Sequence, residues 1–140
     1  YYNDFLDGLT IIMLFNNKDE ELSILSDSFL SMKRENYSEA MTAISALDNS
    51  ESDLIINLTL YYKSYLFIKM NDYSSAFEQL IKIKGDDIFS QLGKLLLAEI
   101  THYIDNDINS AIDIYLNFLE NYESSIYYED IRLRLAEIIG

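Results

Sequence analysis

At 140 residues the chain has the length of one ordinary domain, able to bury roughly two thirds of the surface its unfolded form would expose. A hydrophobic fraction of 49%, with seven Phe and twelve Tyr, excludes a disordered acidic tail, since rings of that size bury large areas. Twenty-four acidic residues against ten basic ones leave a net charge of -14, which repels phosphate backbones and anionic lipid surfaces and so excludes nucleic acid as a natural partner.

The absence of proline, the four glycines and the scarcity of period-two alternation make helix the default along the chain. The apolar periodicity predicts helices near 3–16, 19–33, 37–48, 52–70, 73–83, 86–104, 108–121 and 124–139, with Asp19, Ser52 and Ser124 as expected N-caps. The chain opens at Tyr1 without an initiator Met, and its longest early apolar run, Leu9 to Phe15, is too short to span a bilayer. It therefore reads as the soluble piece of a longer protein, with any membrane anchor outside these residues. No cysteine is present, which removes disulfides, thiolate metal sites and cysteine nucleophiles but says nothing of compartment.

Three segments repeat a polar turn, a large residue and an Ala: Asn36-Tyr37-Ser38-Glu39-Ala40, Asn71-Asp72-Tyr73-Ser74-Ser75-Ala76 and Asn106-Asp107-Ile108-Asn109-Ser110-Ala111. Their alanines fall 36 and 35 residues apart. A large residue follows each Ala at the fourth place (Ile44, Leu80, Tyr115) and again at the seventh (Leu47, Ile83, Phe118), which traces one helix face. Upstream, a small residue sits in each preceding helix: Ser28, Ser64 and Ala98. The first two precede their Ala by 12 residues and the third by 13, so the third turn should hold one extra residue.

Together these features resemble the tetratricopeptide repeat, a helix-turn-helix unit of about 34 residues with an A-x3-F stretch in its second helix. Ala40-x3-Ile44, Ala76-x3-Leu80 and Ala111-x3-Tyr115 stand for that stretch, and Tyr37 and Tyr73 hold the aromatic place in the turn. Ile24, Leu60 and Leu95 fall near the family's tryptophan position, without its glycine or closing proline. The resemblance implies an all-α, right-handed stack of antiparallel helix pairs, about seven to eight helices in a single domain over residues 1–140. An extra N-terminal helix would occupy 1–18, pairs 19–48, 52–83 and 86–121, and a terminal helix 124–139. The last third, from Leu95-Leu96-Leu97-Ala98-Glu99-Ile100 through Asn106-Asp107 to Ile126-Tyr127-Tyr128-Glu129-Asp130-Ile131-Arg132-Leu133-Arg134-Leu135-Ala136, is similar to the membrane-anchored ancillary subunits of the bacterial Sec translocon. That similarity implies a scaffolding or chaperone-like role beside secretion on the periplasmic side of the inner membrane, with the cytoplasm as the alternative location.

Residues that could carry chemistry are better explained by structure. Asp105-x-Asp107-x-Asn109 begins like a calcium loop, but Ser110 stands where the sharp turn needs Gly and Leu116 where a bidentate Glu is needed. It reads as a polar turn with helix-start acids. His102 is the single histidine and cannot assemble a multi-His zinc site. The adjacent acids Glu20 and Glu21, or Asp86 and Asp87, point to different helix faces and read as helix-start charges. No catalytic, cofactor or metal residue is assigned, and no enzyme activity or small-molecule substrate is expected. Tyr61, Tyr62, Tyr65, Phe67 and Ile68 form the densest aromatic cluster, at least half of it expected in the core. The repeat register of the resemblance places Phe29, Lys33, Tyr61, Tyr65, Lys69, Glu99, His102 and Tyr103 along a concave groove that would hold a protein or peptide segment. The sequence thus points to a protein-protein interaction scaffold, with a structural module that positions a membrane anchor, or a small helical enzyme or ligand carrier, as the rival readings.

Overall fold

The structure, a computed structural model, describes residues 19–140; the helix expected at 3–16 lies outside them. It is all-helical, 76% helix, with no strand among the described residues. Seven helices follow in order: α1 (Asp19–Lys33), α2 (Tyr37–Ile44, continued by a 3-10 turn at Ser45–Leu47), α3 (Asp53–Lys69), α4 (Tyr73–Leu80), α5 (Ile88–Tyr103), α6 (Ile108–Asn121) and α7 (Tyr128–Ile139). The chain divides into two compact units, Tyr1–Thr59 and Leu60–Gly140. In the first, α1 packs against α2; in the second, α4 packs against α5, α5 against α6, and α6 against α7.

The repeated turns show how the sequence sets these helix pairs. Glu35, Asn71 and Asn106 have φ of 59°, 60° and 56°, the left-handed conformation that closes a helix, and they recur at the same 36 and 35 spacing as the alanines. In the first turn the Asn36 N–H donates to the Ser31 carbonyl at 2.9 Å and the Glu35 N–H to Met32 at 2.9 Å. The second repeats this, with Asp72 to Phe67 at 2.8 Å and Asn71 to Ile68 at 3.0 Å. These paired bonds satisfy carbonyls that the helix end leaves without partners. The residue that closes one helix also opens the next, because the side chains of Asn36, Asp72 and Asp107 accept the backbone N–H of Glu39, Ser75 and Ser110. Three residues therefore suffice to reverse the chain. The third turn, 104–107, is one residue longer, as the wider Ala98-to-Ala111 spacing predicts, and its bonds run from Asp105 to Ile100 and from Asp107 to Thr101.

Small side chains recur at buried positions of these helices. Ala40, Ala76, Ala111, Ser28, Ser64 and Ala98 are all fully buried. Within the first unit the Ser28 hydroxyl donates to the Ala40 carbonyl at 2.8 Å, which holds α1 close to α2. Ser64 instead donates to the Tyr61 carbonyl in its own helix at 2.6 Å. One glycine serves the same close approach: a Cβ on Gly93 would lie 2.8 Å from Ile83 Cδ1. The first-unit core includes Leu25, Ile44, Leu47, Ile55 and Leu58, while Phe89, Leu92, Leu95, Tyr115 and Phe118 anchor the second.

Helix starts depart from the sequence reading at α1, which already includes the expected cap Asp19, at α5, which begins at Ile88 rather than 86 with Asp87 as its cap, and most at the last helix. Ser52 is the expected cap and accepts the Ile55 N–H at 3.3 Å. The last helix, however, begins at Tyr128 rather than near Ser124. Residues 124–127 form a turn in which the Ser125 hydroxyl donates to Gln91 Oε1 at 2.6 Å and accepts the Tyr127 N–H at 3.1 Å. That tie to α5, with Tyr127 buried, costs the helix its first turn.

Candidate functional site

The groove residues expected from the sequence fall into separate groups. In the first unit, Phe29 is half-buried and Lys33 exposed, one turn apart on α1. In the second, Tyr61 is only 4% exposed and belongs to the core, whereas Tyr65 is half-buried and Lys69 exposed. The Lys69 ammonium stands 5.3 Å from the centroid of the Tyr65 ring, a cation–π pair one helical turn apart. The structure brings Glu99, His102 and Tyr103 together at the C-terminal end of α5.

Arg134 of α7, not picked out from the sequence, completes that last group. Its guanidinium donates to the Tyr103 hydroxyl at 2.7 Å and lies 5.6 Å from the ring centroid. Its second terminal nitrogen is 4.0 Å from a Glu99 carboxylate oxygen. The His102 ring stacks on Tyr103 with centroids 4.2 Å apart, and its Nδ1 is buried without a hydrogen-bond partner. Tyr103 remains 57% exposed, so the cluster presents an aromatic ring whose orientation is fixed from both sides. The sequence did carry a signal for Arg134: it follows Glu99 by 35 residues, the spacing at which the second and third turns recur, and the two are neighbours here.

Electrostatics in the cluster are set by partial burial. Burial pushes the Glu99 carboxyl above its ordinary range, and the nearby Arg134 charge opposes this without cancelling it. Arg134 is held above its ordinary value by Tyr115, Tyr103 and Glu99, against a desolvation cost that acts the other way. With the guanidinium locked on Tyr103 and one carboxylate beside it, the face combines a ring, a cation and an anion. Such a surface suits contact with a polypeptide segment, where a rigid aromatic gives area and the charges fix register.

Elsewhere the acids have local structural work. Asp107 accepts both the Ser110 N–H at 3.1 Å and the Ser110 hydroxyl at 2.7 Å, which holds its carboxyl below the usual range. The calcium-like segment is thus a helix cap. Asp87 caps α5, accepting from Phe89 and Ser90 at 2.9 Å each. Among the described residues no group of three or more His, Cys, Asp or Glu is arranged to hold a metal ion. A cavity of about 470 Å³ in the second unit is lined by Asp86, Gln91, Glu120, Tyr122, Glu123 and Ser125, among others. There the Tyr122 hydroxyl donates to the Gly85 carbonyl at 3.2 Å, and burial together with the charges of Asp86 and Asp87 holds its pKa above the ordinary tyrosine value. No helix among the described residues is long and apolar enough to cross a membrane. Comparison with protein-family models, curated proteins and solved structures returns no match.

Proposed function

We propose that the chain is a protein-interaction scaffold built from tetratricopeptide-type helix pairs, and that the α5–α7 face of the second unit holds a polypeptide partner. The recurrence of one turn design at residues 35–36, 71–72 and 106–107, each followed by a buried Ala, supports the repeat reading. The observation that carries the binding reading is Tyr103: a ring 57% exposed yet fixed by Arg134 on one side and His102 on the other. Ordering an aromatic before contact lowers the entropy lost on binding, the usual property of an interface anchor. Its role is to bind rather than to transform.

A photo-crosslinking residue placed at Tyr103, compared with one at exposed Glu78 on α4, tests this in cells of the native host. Discrete protein adducts at position 103, absent at 78 and lost when Arg134 is also replaced by Ala, are the expected result. Adducts of equal pattern from both positions, or none from 103, would show that this face holds no partner.

A further inference from the structure

We propose a second interaction surface, the outer edge of α6, and infer that it takes a cationic amphipathic helix from a partner protein. Ala111, Tyr115 and Phe118 turn inward and are buried. Beside that face Ile108, Ile112 and Leu116 recur every fourth residue and Leu119 follows, which forms one apolar stripe along the helix. Ile108 is 42% exposed and Leu116 47%, so two of the stripe's four residues lie open to solvent, while Ile112 and Leu119 are half-buried. Asp113 and Glu120, both exposed and two turns apart, border its outer side.

The occupant follows from charge. α6 and its flanking turns carry Asp105, Asp107, Asp113, Glu120 and Glu123 and no Lys or Arg of their own; Lys94 reaches α6 from α5, its ammonium donating to Asn117 at 2.7 Å, and offsets one of these charges, so the face stays net acidic. A second copy of this chain would bring its own net charge of -14 to the contact and is repelled, as is an anionic membrane. A helix with leucines at helical spacing and lysines at its margins matches both features: its apolar face covers the stripe and its ammonium groups meet Asp113 and Glu120. This surface does not depend on the Tyr103 face, and its residues are different.

A fluorescent helical peptide of Leu and Lys, about 14 residues long, serves as the probe against the full chain, read by anisotropy. A peptide of the same composition in alternating order and one with Glu in place of Lys serve as comparisons. Binding of the helical Leu/Lys peptide alone is expected, weakened about tenfold by Leu116→Gln and about tenfold by Asp113→Lys with Glu120→Lys. The double change Glu78→Lys with Glu137→Lys alters net charge equally at exposed positions on α4 and α7, outside α6, and should leave affinity within about twofold. Equal weakening by the two double variants would reduce the effect to general attraction and overturn the proposal. So would equal binding of the alternating peptide, binding of the Glu peptide, or no loss with Leu116→Gln. Circular dichroism checks each variant; if Leu116→Gln unfolds, the charge pair alone decides. Tyr103→Ala should leave the peptide's affinity unchanged, which separates failure here from failure of the Tyr103 face.

Discussion

Replacing Glu35 with Gly should stabilise the protein. Glu35 closes α1 with φ of 59°, where a side chain crowds the following carbonyl at a cost of about 1–2 kcal/mol. Glycine removes that cost but loses about 0.5–1 kcal/mol through the greater freedom of its unfolded chain. Because Glu35 is exposed, few packing contacts are lost, and the difference leaves a gain of about 0.5–1 kcal/mol. The same replacement at exposed Asp27, inside α1, should have the opposite sign, since glycine is a poor helix former. Urea unfolding followed by far-UV circular dichroism, with a thermal scan expected to rise by about 2–4 °C for Glu35→Gly, measures both. Loss of stability at Glu35, or the same sign at both positions, would refute the left-handed turn as the device that ends α1.

Other outcomes follow from packing and charge. Ala76→Leu should destabilise by about 1–3 kcal/mol through overpacking of a fully buried position, while Ser74→Leu on the exposed side of α4 changes little; urea midpoints compare them. Ser28→Ala should cost about 1 kcal/mol by leaving the buried Ala40 carbonyl without its hydroxyl donor, read by the same assay. Glu99 has a raised folded-state pKa, so folding favours its protonated form and stability from this group falls as pH rises through the Glu range. Glu99→Gln should therefore unfold at higher urea than the parent at pH 7, with the gap closing below the ordinary Glu range. Tyr61→Ala should cost about 3–5 kcal/mol as a core truncation, whereas Tyr103→Ala leaves the melting temperature nearly unchanged.

The helix pairs were legible because the turns are written in short-range chemistry. A cap residue, a positive-φ residue just before it and an Ala four places after it occupy the same positions in each turn, so the repeat shows in one sequence. The extra residue of the third turn could be read from the Ser-to-Ala and Ala-to-Ala spacings for the same reason. The start of α7 was not legible, because Ser124 resembles a cap, while the turn at 124–127 depends on a hydrogen bond to Gln91, 34 residues away.

The facing of α3 was the harder matter. Its buried residues include Ile55, Asn57, Leu58, Thr59, Tyr61, Tyr62, Ser64 and Leu66, which together surround the helix rather than mark one stripe. A helix buried on most sides carries no direction in its periodicity, so the register that placed Tyr61 in a groove had no hydrophobic contrast to check it against. On α5 the contrast exists: Leu95, Ala98 and Thr101 are buried, and Glu99, His102 and Tyr103 emerge beside them. Of those three, Tyr103 is the exposed ring that Arg134 contacts, donating to its hydroxyl at 2.7 Å. That contact comes from a helix 31 residues further along the chain, and periodicity within a single helix cannot reveal such a tie.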